Sequence, residues 1–193
     1  MHPCTNRPAR VVAIRLLAAA LIAFPPAAAA QQPQPALPPA RPEDVASMDA
    51  IIAAIYDVIS GPAGQKRDWQ RFESLFVPGA RLIPTGQRPD GTAGARVLTP
   101  AEYAANAGAS LEARGFFEAE ISRVTESFGR IAHAFSTYES RRTAQDAEPF
   151  QRGINSMQLL NDGKRWWVVS IYWDAERADN PIPAKYLKGA SSR

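Results

Sequence analysis

The sequence predicts an α+β domain in which helices come first and long antiparallel strands follow. In the first half of the chain, apolar residues recur at steps of three and four, as they do on one face of a helix. From residue 116 onward the period changes to two, which is typical of strands. The connectors between these strands are short, so neighbouring strands should run antiparallel. Helices followed by strands predict a helical layer on one face of a sheet.

Three helices are predicted in the first half. Between residues 43 and 60 the apolar side chains share one face, and Gly61-Pro62 ends the helix. A shorter helix begins at Asp68 as its N-cap and is ended by Pro78-Gly79. The third begins with the capping box Thr99-Pro100-Ala101-Glu102 and ends at Gly115.

A short strand at residues 80–84 and a loop at 87–95 separate the second and third helices. Four long strands then follow, at residues 116–128, 130–142, 150–160 and 165–174. Asn161-Asp162-Gly163 joins the last two, because these residues tolerate the positive φ of a hairpin turn. Strict alternation along the last strand predicts two faces, one with Trp167, Val169, Ile171 and Trp173 and one with Trp166, Val168, Ser170 and Tyr172.

The first 30 residues have the pattern of a secretory signal peptide. Three arginines precede or interrupt an apolar run at residues 11–24, Pro25-Pro26 breaks it, and small residues allow cleavage near Ala30. The alternative is a membrane anchor, which the short run and Arg15 disfavour. Cys4 lies ahead of the run, which disfavours a lipoprotein. We therefore expect a periplasmic or secreted protein that has no membrane association after cleavage.

Four segments are thus predicted: a signal peptide at residues 1–30, a Pro-rich linker at 31–42, a folded domain at 43–176 and a C-terminal tail at 177–193. The signal peptide contains three of the 22 Lys and Arg residues and none of the 19 acidic ones, so the mature chain has 19 of each. The charge therefore does not indicate nucleic-acid binding, and no basic stripe is interleaved with aromatic residues.

The predicted mature chain has no cysteine and a single histidine, His133. This composition excludes a disulfide scaffold, a thiol enzyme and a metal site built on two or three histidines of one chain. We therefore predict neither a metal nor a cofactor.

The order of elements resembles the nuclear transport factor 2-like superfamily, and so do three stretches of the chain. Residues 68–82, DWQRFESLFVPGARL, are similar to the second helix running into the first strand of these proteins. Residues 129–141, GRIAHAFSTYESR, and 152–173, RGINSMQLLNDGKRWWVVSIYW, are similar to their last three strands. The superfamily includes ketosteroid isomerases, scytalone dehydratase and SnoaL-like polyketide cyclases. The resemblance, over residues 44–174, implies a strongly curved antiparallel sheet that forms a cone with an apolar pocket, on a scaffold that hosts many activities.

His133 is the candidate general base, because it is the only histidine left after cleavage and histidine titrates near neutral pH. The alternative is a structural histidine or one that faces solvent or a partner. The resemblance to dehydratase-like enzymes implies a His with an Asp and tyrosines, but no spacing in this chain brings such residues together. The candidate ligand-binding residues are Tyr56, Trp69, Tyr103, Asn155 and Tyr172.

Asn155 lies in the centre of an otherwise apolar strand, where an unpaired buried amide would cost about 1–3 kcal/mol. It is either a polar residue at the pocket floor or an outward-facing one. Tyr56-Asp57 could supply the tyrosine and acid of a ketosteroid-isomerase-like site. Adjacent helix residues point about 100° apart, however, so a core tyrosine beside an exposed aspartate is favoured. Arg152 either binds a ligand carboxylate or pairs with Glu139 or Glu148.

Both faces of the last strand are too apolar for a solvated sheet. One face should line the cone, and the other should pack against residues 181–187 or, as we favour, against a second copy in a homodimer. Three functions follow as hypotheses. The first is an exported domain that binds a small, largely apolar molecule and has no assigned activity. The second is a cofactor-independent lyase or isomerase of the dehydratase, cyclase or ketosteroid-isomerase type with His133 as base. The third is an interaction module whose cone is filled by Trp69, Phe72 and Tyr103.

Overall fold

In the computed structural model, which describes residues 38–88 and 90–187, four helices pack on one face of a six-stranded sheet. The helices are α1 (Pro42–Val45), α2 (Met48–Ile59), α3 (Trp69–Ser74) and α4 (Pro100–Arg114), and a 3-10 turn follows at Ala184–Tyr186. The strands are β1 (Phe76–Gln87), β2 (Ala93–Ala95), β3 (Phe117–Phe128), β4 (Ile131–Arg141), β5 (Gln151–Asn161) and β6 (Trp166–Ala175). None of the described helices is long and apolar enough to cross a membrane. The predicted signal peptide lies outside the described residues, as does most of the linker.

The strand order is β2-β1-β6-β5-β4-β3, and β1 pairs in parallel with β6 while the other neighbours are antiparallel. The predicted α+β class, with helices on a curved and largely antiparallel sheet, is confirmed. Each of β3 to β6 begins and ends within one residue of its prediction. Gly129 and Gly163 have φ values of 56° and 93° in the two hairpin turns, a conformation that glycine adopts without strain.

The predicted helix at residues 43–60 is in fact two helices, because Ser47 interrupts it. Its backbone is extended, and its hydroxyl accepts a hydrogen bond from the Ala50 N–H at 3.0 Å, so Ser47 caps α2. The capping box at the start of α4 is present as predicted: Thr99 Oγ1 accepts from the Glu102 N–H, and the Glu102 carboxylate accepts from the Thr99 N–H.

The predicted end of the second helix is wrong, because α3 ends at Ser74 and not at Pro78-Gly79. Both of those residues lie in β1, which begins at Phe76 and extends well beyond the predicted strand at residues 80–84. Part of the predicted loop at 87–95 also forms a strand, since β2 pairs with β1 through Thr85 and Ala95.

The core lies between α2 and the inner face of the sheet. Its buried side chains include Ile51, Ile52, Ile55 and Val58 from α2, Ala132 and Ala134 from β4, Met157 and Leu159 from β5, and Val168 and Ile171 from β6. Each large apolar side chain removed from water contributes about 1.5–3 kcal/mol to folding. This burial holds the helical layer against the sheet.

The predicted alternation along β6 is wrong at Val169. In the register with β5, Ser170 pairs with Gln158 and Val168 pairs with Leu159, so Val169 is an extra residue that bulges out of the strand. Val168 and Ile171 are therefore both buried on the inner face although they are three residues apart, and Val169 is exposed.

Candidate functional site

A cavity of about 170 Å³ lies between the helices and the inner face of the sheet. Its walls are mainly aromatic and aliphatic: Ile59, Phe72, Leu82, Tyr103, Leu111, Phe116, Tyr138, Ile171 and Trp173. Glu118, Gln151 and Asn155 supply the other polar groups. The lining draws on α2, α3, α4 and every strand from β1 to β6 except the short β2, so the site exists only in the folded chain.

Glu118 faces this cavity from β3. It pairs across the sheet with Ser140, whose side chain is buried on the inner face and whose hydroxyl donates to the Glu118 carboxylate at 2.9 Å. Burial raises the pKa of Glu118 from 4.5 to about 7, although hydrogen bonds from Ser140 and Asn155 oppose the change. A carboxyl group with such a pKa both accepts and donates a proton near neutral pH.

Tyr103 and Tyr138 place two hydroxyl groups at the cavity. Neither hydroxyl forms a hydrogen bond with another residue in the described part of the chain. Burial raises the pKa of both phenols, and the nearby charge of Glu118 raises it further, so both stay protonated at neutral pH. Tyr138 lies over Gly153, where a side chain would overlap its hydroxyl, so the glycine makes room for the tyrosine in this position.

A buried hydrogen-bond network supports Asn155 from behind. The Asn155 amide donates to the Tyr56 hydroxyl at 3.1 Å, and the Tyr56 hydroxyl bonds Ser136 Oγ at 2.7 Å. Ser136 in turn donates to Glu120 at 2.8 Å, and Arg123 pairs with the same carboxylate. Because Ser136 donates to Glu120, Tyr56 donates to Ser136 and is left to accept from Asn155. The network joins α2 to β3, β4 and β5.

Neither the protein-family models nor the curated proteins contain a match to this chain. Among solved structures, a protein of unknown function with a cystatin-like fold from Nostoc punctiforme is 14% identical, with a TM-score of 0.50, over 68% of this chain and 90% of that one. A Kribbella flavida protein is 12% identical, also with a TM-score of 0.50, over 68% and 90%. An NTF-2 like protein of unknown function from Silicibacter pomeroyi is 17% identical over 68% and 94%, with a TM-score of 0.46.

The described architecture, with helices on one face of a curved and unclosed six-stranded sheet, is consistent with the nuclear transport factor 2-like cone fold. At such low identities the likeness shows the fold alone and carries no activity with it. The resemblance seen in the sequence is confirmed at that level.

Within this nuclear transport factor 2-like fold, the five candidate ligand-binding residues take different places. Tyr103 and Asn155 line the cavity, which answers the question of which way Asn155 faces. Tyr56 lies behind Asn155. Trp69 packs edge-on against Tyr103 with ring centroids 6.4 Å apart, and its indole N–H donates to Glu112. Tyr172 is half exposed on the outer face of the sheet, away from the cavity.

His133 also lies on the outer face. It pairs with Gln158 of β5, while its neighbours Ala132 and Ala134 are buried on the inner face. Its ring nitrogen Nε2 is 2.9 Å from Ser156 Oγ, and it does not line the cavity. The prediction that His133 acts as a base within the cone is therefore wrong, because strand alternation points its side chain away from the cavity.

Glu118 is the titratable residue that sequence reasoning missed. The available signal was the alternation in FEAEIS, residues 116–121, which places Glu118 and Glu120 on the same face of a predicted strand. Two acidic residues on one face of a strand are typical of a face that is exposed to solvent. The structure instead pairs them with Ser140 and Tyr138 on the inner face.

The remaining charged candidates form surface pairs. Asp57 is exposed and binds Arg71 at 2.5 Å, whereas Tyr56 is a buried core residue, so the two side chains share no target. Arg152 pairs with Glu176 at 2.7 Å and with neither predicted partner. No group of three His, Cys, Asp or Glu side chains that could hold a metal ion occurs among residues 38–88 and 90–187.

The cone is narrowed but not filled by Trp69, Phe72 and Tyr103. Phe72 and Tyr103 pack with ring centroids 5.6 Å apart, and Trp69 adds an edge contact to each. The cavity of about 170 Å³ lies beside these rings. The filled cone of the interaction-module hypothesis is therefore not observed.

The C-terminal segment packs on part of the outer face. Tyr186 contacts Phe135 with ring centroids 5.0 Å apart, its carbonyl oxygen accepts from Thr137 Oγ1 at 2.8 Å, and Ile182 is buried. A cleft of about 430 Å³ lies between this segment and the sheet. Farther along the same face, Phe128 and Ile131 are 84% and 62% exposed. The tail thus covers one part of the face and leaves another uncovered.

Proposed function

We propose that the cavity binds a small molecule of about one ring, with an apolar body and one polar group. The observation that carries this proposal is the convergence of the Glu118 carboxyl and the unbonded hydroxyls of Tyr103 and Tyr138 on an otherwise apolar cavity. A cavity with a few convergent polar groups is the usual form of a small-molecule site.

The volume of the cavity limits the size of the ligand. An engineered apolar cavity of about 150 Å³ binds benzene. Sites for drug-sized ligands occupy roughly 300–1,000 Å³. At about 170 Å³, this cavity fits a single ring with a small substituent, and a four-ring steroid would require it to widen.

Phenol is a suitable first probe, and the binding is measurable by calorimetry. A Leu111→Trp variant fills the cavity from α4, while Ala109→Trp adds the same side chain on the exposed face of that helix. We expect phenol to bind the native protein and Ala109→Trp and to lose at least tenfold in affinity for Leu111→Trp. Equal affinity for all three proteins would reject the cavity as the binding site.

A second candidate is cofactor-independent proton transfer of the isomerase or lyase type, with Glu118 in place of His133. It is favoured by a carboxyl of pKa about 7 beside two protonated phenols. Glu118 would take a proton from the carbon next to a carbonyl group, Tyr103 or Tyr138 would donate a hydrogen bond to the resulting enolate oxygen, and the proton would return to another carbon.

The conversion of 3-cyclohexenone to 2-cyclohexenone, followed by absorbance, tests this candidate with a substrate of one ring. We expect Glu118→Gln to lose at least 100-fold in rate, in line with the usual contribution of a general base. The His133→Ala variant, altered on the outer face, should keep the native rate. A native protein that is no faster than buffer, or a rate lost in His133→Ala and kept in Glu118→Gln, contradicts the candidate.

We also propose that two chains form a homodimer through the uncovered part of the outer face. Phe128 and Ile131 pair across β3 and β4, and exposed Val169 and Tyr172 extend the apolar surface on β6. Light scattering at micromolar concentration should give a dimer mass. The double variant Phe128→Asp, Ile131→Asp should be monomeric, while Val97→Asp, which changes an exposed residue away from these strands, stays dimeric. A monomeric native protein rejects the proposal.

Export is proposed on the pattern of the first 30 residues alone. The intact mass of protein recovered from the periplasm or the medium should correspond to a chain that begins at Gln31. Recovery of the full-length chain from the cytosol would contradict it.

A further inference from the structure

The cavity contains one acidic side chain and no basic one. Glu118 is the one carboxylate among its lining residues, and none of the described residues in that lining is Lys, Arg or His. Glu118 forms no salt bridge with any residue in the described part of the chain. The neutral Ser140 hydroxyl donates to its carboxylate at 2.9 Å, which favours the ionised form without neutralising it.

A buried carboxylate without a cationic partner is costly, and a ligand that supplies the cation removes this cost. The cavity walls suit a cation as well. Tyr103 lies edge-on to Trp173 with ring centroids 6.1 Å apart and packs against Phe72 at 5.6 Å. Aromatic rings attract cations through the negative charge of their faces, and they do so more strongly where water is excluded.

We propose that the ligand is a small organic cation, an amine of about one ring, whose ammonium group pairs with Glu118 while its body contacts the aromatic walls. The unbonded oxygens of Tyr103 and Tyr138 accept the remaining ammonium hydrogens. This inference rests on the proposed binding function and adds the charge of the ligand. An anion of the same size is repelled by Glu118, and a neutral molecule leaves the carboxylate without a partner.

The pH dependence of binding follows from the groups that face Glu118. These groups are Tyr56 from α2, Tyr103 from α4, Tyr138 and Ser140 from β4, Asn155 from β5, and Glu120, paired with Arg123, from β3 itself. The elements α3, β1 and β6 add only uncharged residues to the lining. An ammonium group stabilises the carboxylate, so binding should release a proton near pH 7 and weaken as the pH falls below 7.

Benzylamine, benzyl alcohol and benzoate have one ring and differ in charge, so calorimetry with these three probes tests the inference. At pH 8 we expect benzylamine to bind roughly 10- to 100-fold more tightly than benzyl alcohol, the range of a hydrogen bond to a charged group, and benzoate more weakly than either. In Glu118→Gln, the affinity for benzylamine should fall to the affinity for benzyl alcohol. Glu126→Gln, an exposed residue on the same strand with the same change in charge, should keep the preference.

The binding of benzyl alcohol separates the two levels of the proposal. If benzyl alcohol binds both the native protein and Glu118→Gln while benzylamine has no advantage, the cavity is a ligand site and the amine inference is overturned. Binding of benzyl alcohol by Glu118→Gln also shows that the variant is folded. If none of the three probes binds the native protein, the cavity is not a site for single-ring ligands and both proposals fall.

Discussion

Glu118 owes its chemistry to the residues around it. An ordinary glutamate has a pKa of 4.5 and is ionised at neutral pH, whereas burial in the wall of the cavity raises the pKa of this one to about 7. The hydrogen bonds from Ser140 and Asn155 limit the rise but do not cancel it. One residue thereby becomes both the centre of the candidate site and a source of pH-dependent stability.

An acid whose pKa is higher in the folded state than in the unfolded chain binds more protons when folded. The contribution of Glu118 to stability is therefore fully present below about pH 4.5 and is lost as the pH rises through about 7, by up to about 3 kcal/mol. We expect Glu118→Gln to be more stable than the native protein at pH 8, with the difference shrinking towards pH 5.

Urea denaturation between pH 5 and pH 8 measures this difference. Glu126→Gln, exposed on the same strand, is the control and should run parallel to the native protein over the whole range. A Glu118→Gln curve that is also parallel to the native one would mean that Glu118 has an ordinary pKa in the folded protein.

The Tyr56 hydroxyl is a second residue with a measurable role. Tyr56→Phe removes the acceptor of the Asn155 amide and one of the two partners of Ser136. Leaving such buried groups without a partner should lower the free energy of unfolding by about 1–3 kcal/mol. Tyr172→Phe on the half-exposed outer face is the matched control and should change it little. Chemical denaturation compares the two, and equal losses would argue against the network.

At the scale of elements, each strand of the sheet presents one face to the cavity and one to the outside. In β4 the alternation is strict, so Tyr138 faces the cavity and His133 faces outward. In β6 the bulge at Val169 changes the phase and brings Val168 and Ile171 to the same side. A bulge of one residue thus decides which side chains of the last strand meet the helices.

The capping box at the start of α4 should contribute to stability on its own. It satisfies the N–H groups of both Thr99 and Glu102 before the helix begins. We expect Thr99→Ala to lower the free energy of unfolding by about 1 kcal/mol, as for other N-cap residues. Thr99→Ser keeps the hydroxyl and should retain most of that stability. Thermal unfolding of the two variants tests this, and equal values for both would show that the box is not needed.

At the scale of the whole domain, the C-terminal segment is part of the folded unit. Residues 181–187, one of the two predicted covers for the outer face, pack on the part of it around Phe135 and Thr137. The part of the predicted C-terminal tail that the structure describes thus packs on the sheet. The proposed homodimer would use the part of the face that this segment leaves exposed.

Removing the Tyr186 ring tests the attachment of this segment. Aromatic pairs contribute about 0.5–1.5 kcal/mol beyond their buried area, so Tyr186→Ala should lower the free energy of unfolding by about 1–2 kcal/mol. The nearby Ala184→Ser should have little effect, because Ala184 is exposed. Hydrogen exchange should also become faster at residues 182–187 in Tyr186→Ala alone. Unchanged exchange would show that the ring does not hold the segment.

The sequence by itself determined the features that depend on local chemistry. Side-chain period, turn glycines and the capping box are properties of neighbouring residues, and they predicted the class, the four long strands to within one residue and the start of α4. The break at Ser47 was missed because the helical period continues across it. The end of α3 at Ser74 was missed because Phe72 and Phe76 keep a helical spacing although Phe76 already lies in β1.

Only the tertiary structure decided the site. Tyr56 and Asn155 are 99 residues apart and meet through the packing of α2 on the sheet. The pKa of Glu118 depends on burial by side chains from other elements, and the outward orientation of His133 depends on which face of the sheet the helices cover. Such properties arise from long-range contacts, which the local patterns of one sequence do not encode.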